Sequence, residues 1–588
     1  MATFIKKLLT VLSLLTVSLP GFSQVVYEDI NNSGIYEFLD ELANLKIIML
    51  NSTIKPYSRE LIATKLLEAE AFMNGDTAFN KITRKSNYKL NKRQQKELHF
   101  YLQDFQLERK KIRNPKSEIR NPEDSSRITR HALRMADEYD YKLSFLLKSQ
   151  PNMAVALNPL GFNYRDSLFT FSLRPILGFR WMTNENAAEY HRWWGGSMFG
   201  YVGKNVGFYA NLRDNNESTG LEYPEYFTLQ QGQMYKPGTK NGVDFSEMKA
   251  GISVSWNWGS FGLFKDRFVW GNNYHGSNII SGKAPSFPYI QLHLNPVKWF
   301  DFNYIHGWLN SEVVDSSRSY YTGNFYRTVY RNKYIAANMF TFFPWKGLNV
   351  SFGNSVVYSD DGIQPVFLIP FMFFNSVDAT NSSENNNAGQ NSQLFFDVST
   401  RQIRYLHLWV SLYIDEMKFS RVFDPNSFNW TSWKIGFRLS DWPVRNLNFT
   451  GEWTKTNPIT YKHYISTTTF ASNDYCMGNY LRDNSREFYF SLAYKPVRGL
   501  HFNVSYTMAQ HGDDYTDDRS YSYDILGFMK QKTWQNQALE VTVRYEFINN
   551  GYFLVRYVNS NSEGEVTYQP GFMHGKTNNL TAGVNIGF

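Results

Sequence analysis

The chain has 588 residues, of which 17% are aromatic and only 19% charged, so it can bury ample apolar surface and disorder is excluded. Mean hydropathy is −0.45 and no apolar run of about 18 residues occurs beyond the N-terminus, which excludes a helical membrane protein. The net charge is +8, and a lone cysteine, Cys476, excludes an intramolecular disulfide framework and a cysteine-based metal site.

Lys6 and Lys7 precede the apolar stretch Leu8–Val17, and Gly21-Phe22-Ser23 supplies small residues before a cut. This order predicts a secretory signal peptide over residues 1–23 and a mature protein outside the cytoplasm. No cysteine follows the predicted cut, so a lipid-anchored lipoprotein is not expected. From Ser33 the period is helical: Ile35, Phe38, Leu39, Leu42, Leu45 and Met49 form one apolar stripe. Pro56 breaks it, and Ser58 is the expected N-cap of a second helix using Ile62, Leu66, Leu67 and Ala69. A third helix is predicted over about Asn91 to Ile112, ended by Asn114-Pro115 and Asn121-Pro122. Between Lys81 and Met135 there are sixteen Lys or Arg against six Asp or Glu, so the surplus of ten exceeds the net charge of the whole chain. A solvated helix face accounts for this most simply; contact with anionic polymer or leaflet phosphates is the sharper alternative, and nucleic acid is not expected for an exported chain. Residues 24–138 are thus expected to form a periplasmic helical region.

Near Asp140 the period changes to two. Val206, Phe208, Ala210 and Leu212 alternate with mostly polar neighbours, as do Ile252 and Val254, then Phe300, Phe302 and Tyr304. Leu406 to Ile414, Trp433 to Leu439, Phe488 to Tyr494, Leu500 to Tyr506 and Leu539 to Phe547 repeat the pattern. Such segments run about 9–11 residues, enough for a tilted strand to cross a bilayer. Trp299, Trp345, Trp430, Trp433, Trp442 and Trp453 sit at segment ends, as interfacial girdles require. Short turns such as Ile548-Asn549-Asn550-Gly551 alternate with long polar loops over Asn375–Gln393 and Gln510–Gln537. The fold class expected is all-β and transmembrane: an antiparallel outer-membrane β-barrel of about 18 strands over residues 139–588. Leu580, Ala582, Val584, Ile586 and Phe588 make a final alternating strand ending in Phe, which resembles the signal read by the barrel assembly machinery.

Four groups of segments resemble the Wzi-like capsule assembly family, which includes RemB-like gliding-motility surface proteins. They begin with Ile35 to Ala43 and Lys55-Pro56-Tyr57-Ser58-Arg59, followed by Phe264 to Gly271 and Ile279 to Pro285. Next come Ser355 to Tyr358, Pro365 to Pro370, Asn391, Asp397 and Tyr413 to Glu416; the last are Glu452-Trp453-Thr454, Pro458 to His463 and Met477 to Leu481. Around Met477 to Leu481 the glycine-rich form expected of the family is thinned. The resemblance implies an outer-membrane barrel with a periplasmic helical bundle, an outer face that binds surface polysaccharide, and no catalytic residues.

Polar members of the alternating pairs should line the lumen, so Asp266, Arg267, Arg401, Arg404, Asp415, Glu416 and Glu452 are expected to point inward. Cross-lumen pairing is the plainer reading; a ligand path is the sharper one. Asp360-Asp361 with His275, His463 or His511 joins into no nucleophile–base pair, and no G-x-S-x-G or H-E-x-x-H motif occurs, so no enzyme and no cofactor are expected. Asp513-Asp514 and Asp517-Asp518 lack EF-hand spacing and read as a solvated acidic loop. Sugar recognition needs flat apolar faces bordered by hydrogen-bonding groups. Trp193-Trp194, the run Trp270 to His275, Tyr320, Tyr321 and Tyr326, and Tyr515, Tyr521 and Tyr523 offer that chemistry. The candidate ligand-binding residues are therefore Asp266, Arg267, Trp270, His275, Arg401, Arg404, Asp415, Glu416, Tyr461 and His463, with no metal site. The function expected is a monomeric lectin-like protein for capsule or exopolysaccharide attachment, serving gliding adhesion in one version. The alternatives are a porin or solute transporter, or an outer-membrane component of a secretion or motility machine.

Overall fold

The computed structural model describes residues 24–75, 88–113, 145–150, 152–236, 242–359, 362–377, 390–417, 429–516 and 527–588. The expected leader, most of the basic stretch Lys81–Met135, and Asp360, Asp361, Asp517, Asp518, Tyr521 and Tyr523 lie outside the described residues.

Eighteen antiparallel strands, from Phe169–Thr183 to Gly575–Ile586, form a closed barrel, sealed where these two strands pair from Leu580 opposite Thr183 to Ile586 opposite Leu177. Closure is what lipid demands, because it leaves no unpaired strand edge. Three further strands, Phe145–Gln150, Met153–Leu157 and Leu160–Arg165, form a meander that pairs with the opening residues of Phe169–Thr183. The alternating residues read from the sequence form the outer belt: Ile252, Val410, Ile435, Phe490, Val541 and Leu580 are all exposed, as are Phe179 and Trp181, which the sequence reading did not single out. At one end the strands are joined by short turns, including those at Gly347, Asn446 and Asn550, with Trp299, Trp345 and Trp442 exposed beside them. At the other end most connections are long.

Of helices α1 (Ser33–Asn44), α2 (Arg59–Met73), α3 (Lys92–Asp104) and α4 (Gln106–Arg113), the first three share one apolar core of Ile35, Phe38, Leu39, Leu42, Ile62, Leu66, Leu98 and Phe105, while Leu107 of α4 packs against Val26, Phe199 and Tyr201. Ser58 caps α2 by accepting from the Leu61 N–H, as the sequence predicts, and Asn91 with Gln94 forms a capping box on α3. Two expectations differ. α1 stops at Asn44, because Lys46 takes a left-handed φ of 60°, and Met49 is exposed rather than part of the stripe. The single helix expected over 91–112 is broken at Phe105, where the Arg59 guanidinium takes the Asp104 carbonyl at 2.7 Å and lies 4.3 Å from the Phe105 ring.

The helices sit across the short-turn end. The Tyr405 N–H donates to the Asn44 carbonyl at 2.7 Å, Tyr88 to Asp441 at 2.7 Å, Asn91 to Asn446 at 2.9 Å and Asn549 to the Phe100 carbonyl at 2.9 Å. From this end residues 54–55 enter the barrel and pair with Val269-Trp270, which comes from the opposite end on the connection 267–286. The connection 457–484 also folds inward, and the Ser281 N–H donates to the Met477 carbonyl at 2.8 Å. Trp270, Ile279, Tyr461, Phe470 and Met477 pack with wall residues Ile305, Ile335, Met339, Val357, Phe395 and Tyr413 as one core. On this side the lumen is apolar, which corrects the expectation of a uniformly polar lining. A wall facing protein instead of water is packed like any interior.

Candidate functional site

The sequence-predicted candidates do not converge on one cleft. Asp266 and Arg267 stand at the end of strand Gly259–Asp266. The Asp266 carboxylate accepts from the Tyr209 hydroxyl at 2.6 Å, and Arg267 lies 3.7 Å from Glu247. Glu247 also meets Lys249 at 3.3 Å and Arg213 at 3.4 Å, so this is a cross-wall charge network. Trp270, Asp415 and Tyr461 are brought together by the inward connections, whereas His275 packs on another part of the wall. The Tyr461 hydroxyl donates to the Asn278 carbonyl at 2.5 Å and its N–H donates to Asp415 at 2.8 Å. Trp270 is fully buried, with its ring 5.8 Å from that of Phe395. The His275 ring stacks on Tyr489 at 3.8 Å, and the Tyr274 and His275 N–H groups donate to Glu452, which pairs with Lys434 at 2.8 Å.

Arg401 belongs to the opposite end, where it donates to Asp40 at 2.9 Å, Asn44 at 2.8 Å and Ser52 at 3.0 Å. It ties α1 to the wall. Arg404 follows it in the same short turn. Glu416 and His463 lie at the long-loop end, His463 accepting from or donating to Thr468 at 2.6 Å. Among the described residues no group of three His, Cys, Asp or Glu could hold a metal ion. A cavity of about 80 Å³ between the N-terminal segment and the wall, lined by Glu28, Asp29, Arg59, Arg174, Lys249 and Asp266, has room for several waters.

Beyond the lipid belt, aromatic surface is also exposed on the long-loop end. The connection after strand Phe300–Val314 forms a hairpin of Tyr320–Thr322 and Phe325–Arg327, turned at Gly323 with φ 59°. Tyr321 is 74% exposed and Phe325 82%; the Tyr321 and Tyr326 rings lie 4.9 Å apart, and Arg327 donates to the Tyr320 hydroxyl at 3.1 Å. Aromatic faces flanked by a guanidinium and hydroxyls are what a pyranose ring stacks on and hydrogen-bonds to. A second group was not singled out from the sequence: Tyr223 has Tyr226 at 5.5 Å and Tyr235 at 5.6 Å. The run Glu222-Tyr223-Pro224-Glu225-Tyr226 was the available signal. Its base is buried: Glu222 accepts from Thr228 at 3.1 Å and pairs with Lys283 of the inward connection at 3.5 Å. Burial pushes the Glu222 carboxyl up to about 8 against the opposing pull of Lys283, and the same burial pushes the Lys283 ammonium down.

The sequence model of the capsule assembly protein Wzi family matches residues 202–569, most of the barrel. This chain belongs to the Wzi capsule assembly family. Among solved structures, the Wzi-family barrel is similar to Wzi of Escherichia coli, described as an outer-membrane protein involved in group 1 capsule assembly and a carbohydrate-binding β-barrel. That likeness covers 96% of this chain and 100% of the other at 11% identity, with a TM-score of 0.52. The Acinetobacter baumannii OccAB2 structure matches 71% of this chain and 97% of its own at 10% identity with a TM-score of 0.41. Pseudomonas aeruginosa OccD3 matches 70% and 90% at 13% identity with a TM-score of 0.38. No curated protein matches the chain. The Wzi-family chain is an outer-membrane β-barrel.

Proposed function

We propose that this Wzi-family barrel is a lectin-like protein that holds capsular or exopolysaccharide at the cell surface. The observation that carries the reading is the pairing of a protein-filled barrel centre with a solvent-exposed aromatic hairpin, Tyr320–Arg327, at the long-loop end. Short turns face the periplasm and long loops the exterior in outer-membrane barrels, so the described helices, part of a domain we take as residues 24–138, cap the periplasmic end and the hairpin faces outward. The ligand is a polymer met on loops, and no reaction is assigned. The RemB-like role in gliding adhesion is the finer form of the same reading, because a surface that retains polysaccharide also grips a polysaccharide-coated substratum.

The test is deletion of the gene followed by measurement of cell-bound against shed polysaccharide and of gliding adhesion. Retention falls if the reading holds; unchanged retention and unchanged adhesion remove it. A glycan array probed with the purified barrel then identifies the sugar.

A further inference from the structure

One long connection goes neither outward nor into the lumen. After strand Leu348–Ser359 the segment 362–377 folds down the outer wall of the barrel. The wall beneath it departs from the apolar belt: the outward positions of strands Phe300–Val314, Tyr330–Trp345 and Leu348–Ser359 include Tyr304, His306, Asn338 and Asn354, all buried. Bare in lipid, each such polar group would cost several kcal/mol. Here the segment satisfies Tyr304, Asn338 and Asn354, while His306 bonds to Tyr358 within the wall. Asn338 Nδ2 donates to the carbonyls of Pro370 at 3.0 Å and Met372 at 2.9 Å, and Asn338 Oδ1 accepts from Asn354 at 2.7 Å. The Phe374 N–H donates to Asn354 Oδ1 at 2.7 Å, the Tyr304 hydroxyl to the Phe367 carbonyl at 2.6 Å, and His306 meets the Tyr358 hydroxyl at 2.7 Å. Phe367 is wedged against Tyr358 and Phe374, and Phe371 stacks on Phe302 at 4.5 Å.

The outer side of the same segment is apolar. Ile363, Leu368, Ile369, Phe371 and Phe373 are exposed, Phe371 at 57%, and run on from the exposed belt residues Phe352 and Phe396. At membrane depth every backbone polar group must be satisfied within the protein, and irregular backbone is tolerated there where it is buried against protein. Pro365 and Pro370 carry no N–H, and the N–H groups of Phe367, Ile369 and Met372 donate to carbonyls of Gln364, Val366 and Ile369 at 3.1, 3.3 and 3.2 Å. Depth follows from strand geometry. At about 3.3 Å per residue and a tilt near 40°, each residue climbs about 2.5 Å, so Asn354 and Tyr358 stand about 15 and 25 Å above Leu348 in an apolar band about 25 Å tall. The segment therefore covers the half of the band nearest the long loops.

We propose that residues 362–377 form an intramembrane strap whose partner is the acyl chains of the outer leaflet: its inner side neutralises a polar patch on the wall, and its outer side takes the wall's place against lipid. To test this, Leu368→Cys, Phe371→Cys and Phe373→Cys are labelled with a nitroxide in the full-length protein in proteoliposomes, with Phe396→Cys as belt control and Tyr321→Cys as hairpin control. Cys476 is buried and stays in place. Heat-modifiable migration confirms that each variant is folded. The strap labels are expected to collide with oxygen as the Phe396→Cys label does and to be several-fold less accessible to a water-soluble nickel chelate than the Tyr321→Cys label. Nickel accessibility equal to that of Tyr321→Cys overturns the proposal, as does shielding from both reagents, which would mean that protein and not lipid covers the face.

Discussion

Arg59 shows how one residue holds this molecule together. Its guanidinium reaches Glu28 at 2.5 Å, Glu108 at 2.9 Å and Asp104 at 3.2 Å, all buried, and stacks between Phe105 and Phe199, each 4.3 Å away. It thereby joins α2, α3, α4, the N-terminal segment and the strand Ala188–Val202. A buried ion network contributes little against an apolar replacement, but losing one partner strands the others. Arg59→Met should cost about 3–5 kcal/mol, read as a lower melting temperature and faster trypsin cleavage of the helical region. Arg174, 2.7 Å from Asp104, limits the loss at that carboxylate. Glu222 makes a second prediction at this scale. Burial raises its carboxyl from 4.5 to about 8, with Lys283 lowering and Glu217 raising it. The folded state therefore keeps a proton that the unfolded chain sheds above 4.5. This contribution to stability is full below 4.5 and is lost as pH rises through about 8. Protease resistance of the 218–236 connection should fall over that window, and Glu222→Gln should flatten the fall.

At the scale of elements, sequence and structure part where a connection folds back on the barrel. The hairpin Tyr320–Arg327 projects, so its rings are free to take ligand. If two aromatic faces each supply about 0.5–1.5 kcal/mol, Tyr321→Ala with Phe325→Ala should weaken polysaccharide binding about tenfold while leaving the melting temperature unchanged. A drop in melting temperature with unchanged binding would assign those rings to packing instead. The inward connections 267–286 and 457–484 behave oppositely. Trp270, His275 and Tyr461 carried the chemistry of a sugar site in the sequence, yet here they are packed against Phe395, Tyr489 and Tyr413. Which aromatic is a ligand face and which is core depends on the direction a loop takes, and composition does not encode it.

At the scale of the whole molecule, helices close one end of the barrel and two connections enter from the other. Planar-bilayer recordings of the intact protein should therefore show no stepwise conductance, which a porin would show. Glu452→Ala leaves Lys434 buried without its partner and frees the Tyr274 and His275 N–H groups. It should loosen the plug, seen as intermittent conductance and as proteolysis within 267–286. Steps of equal size in both proteins would reject the plug as the barrier.

Periodicity by itself determined the barrel. In segments from Val206–Leu212 to Leu580–Ile586 alternate residues are mostly apolar because one strand face meets lipid, and about 18 such segments account for the chain after Asp140. The helical cap at Ser58 was legible because capping is satisfied within four residues. The tertiary structure decided the rest. The apolar inner wall, the break at Phe105, the Arg401 tie to α1 and the polar patch under 362–377 all depend on partners 20 or more residues away. Local patterning reports only that a side chain leaves water; what it meets there is fixed by chain segments that folding alone brings alongside.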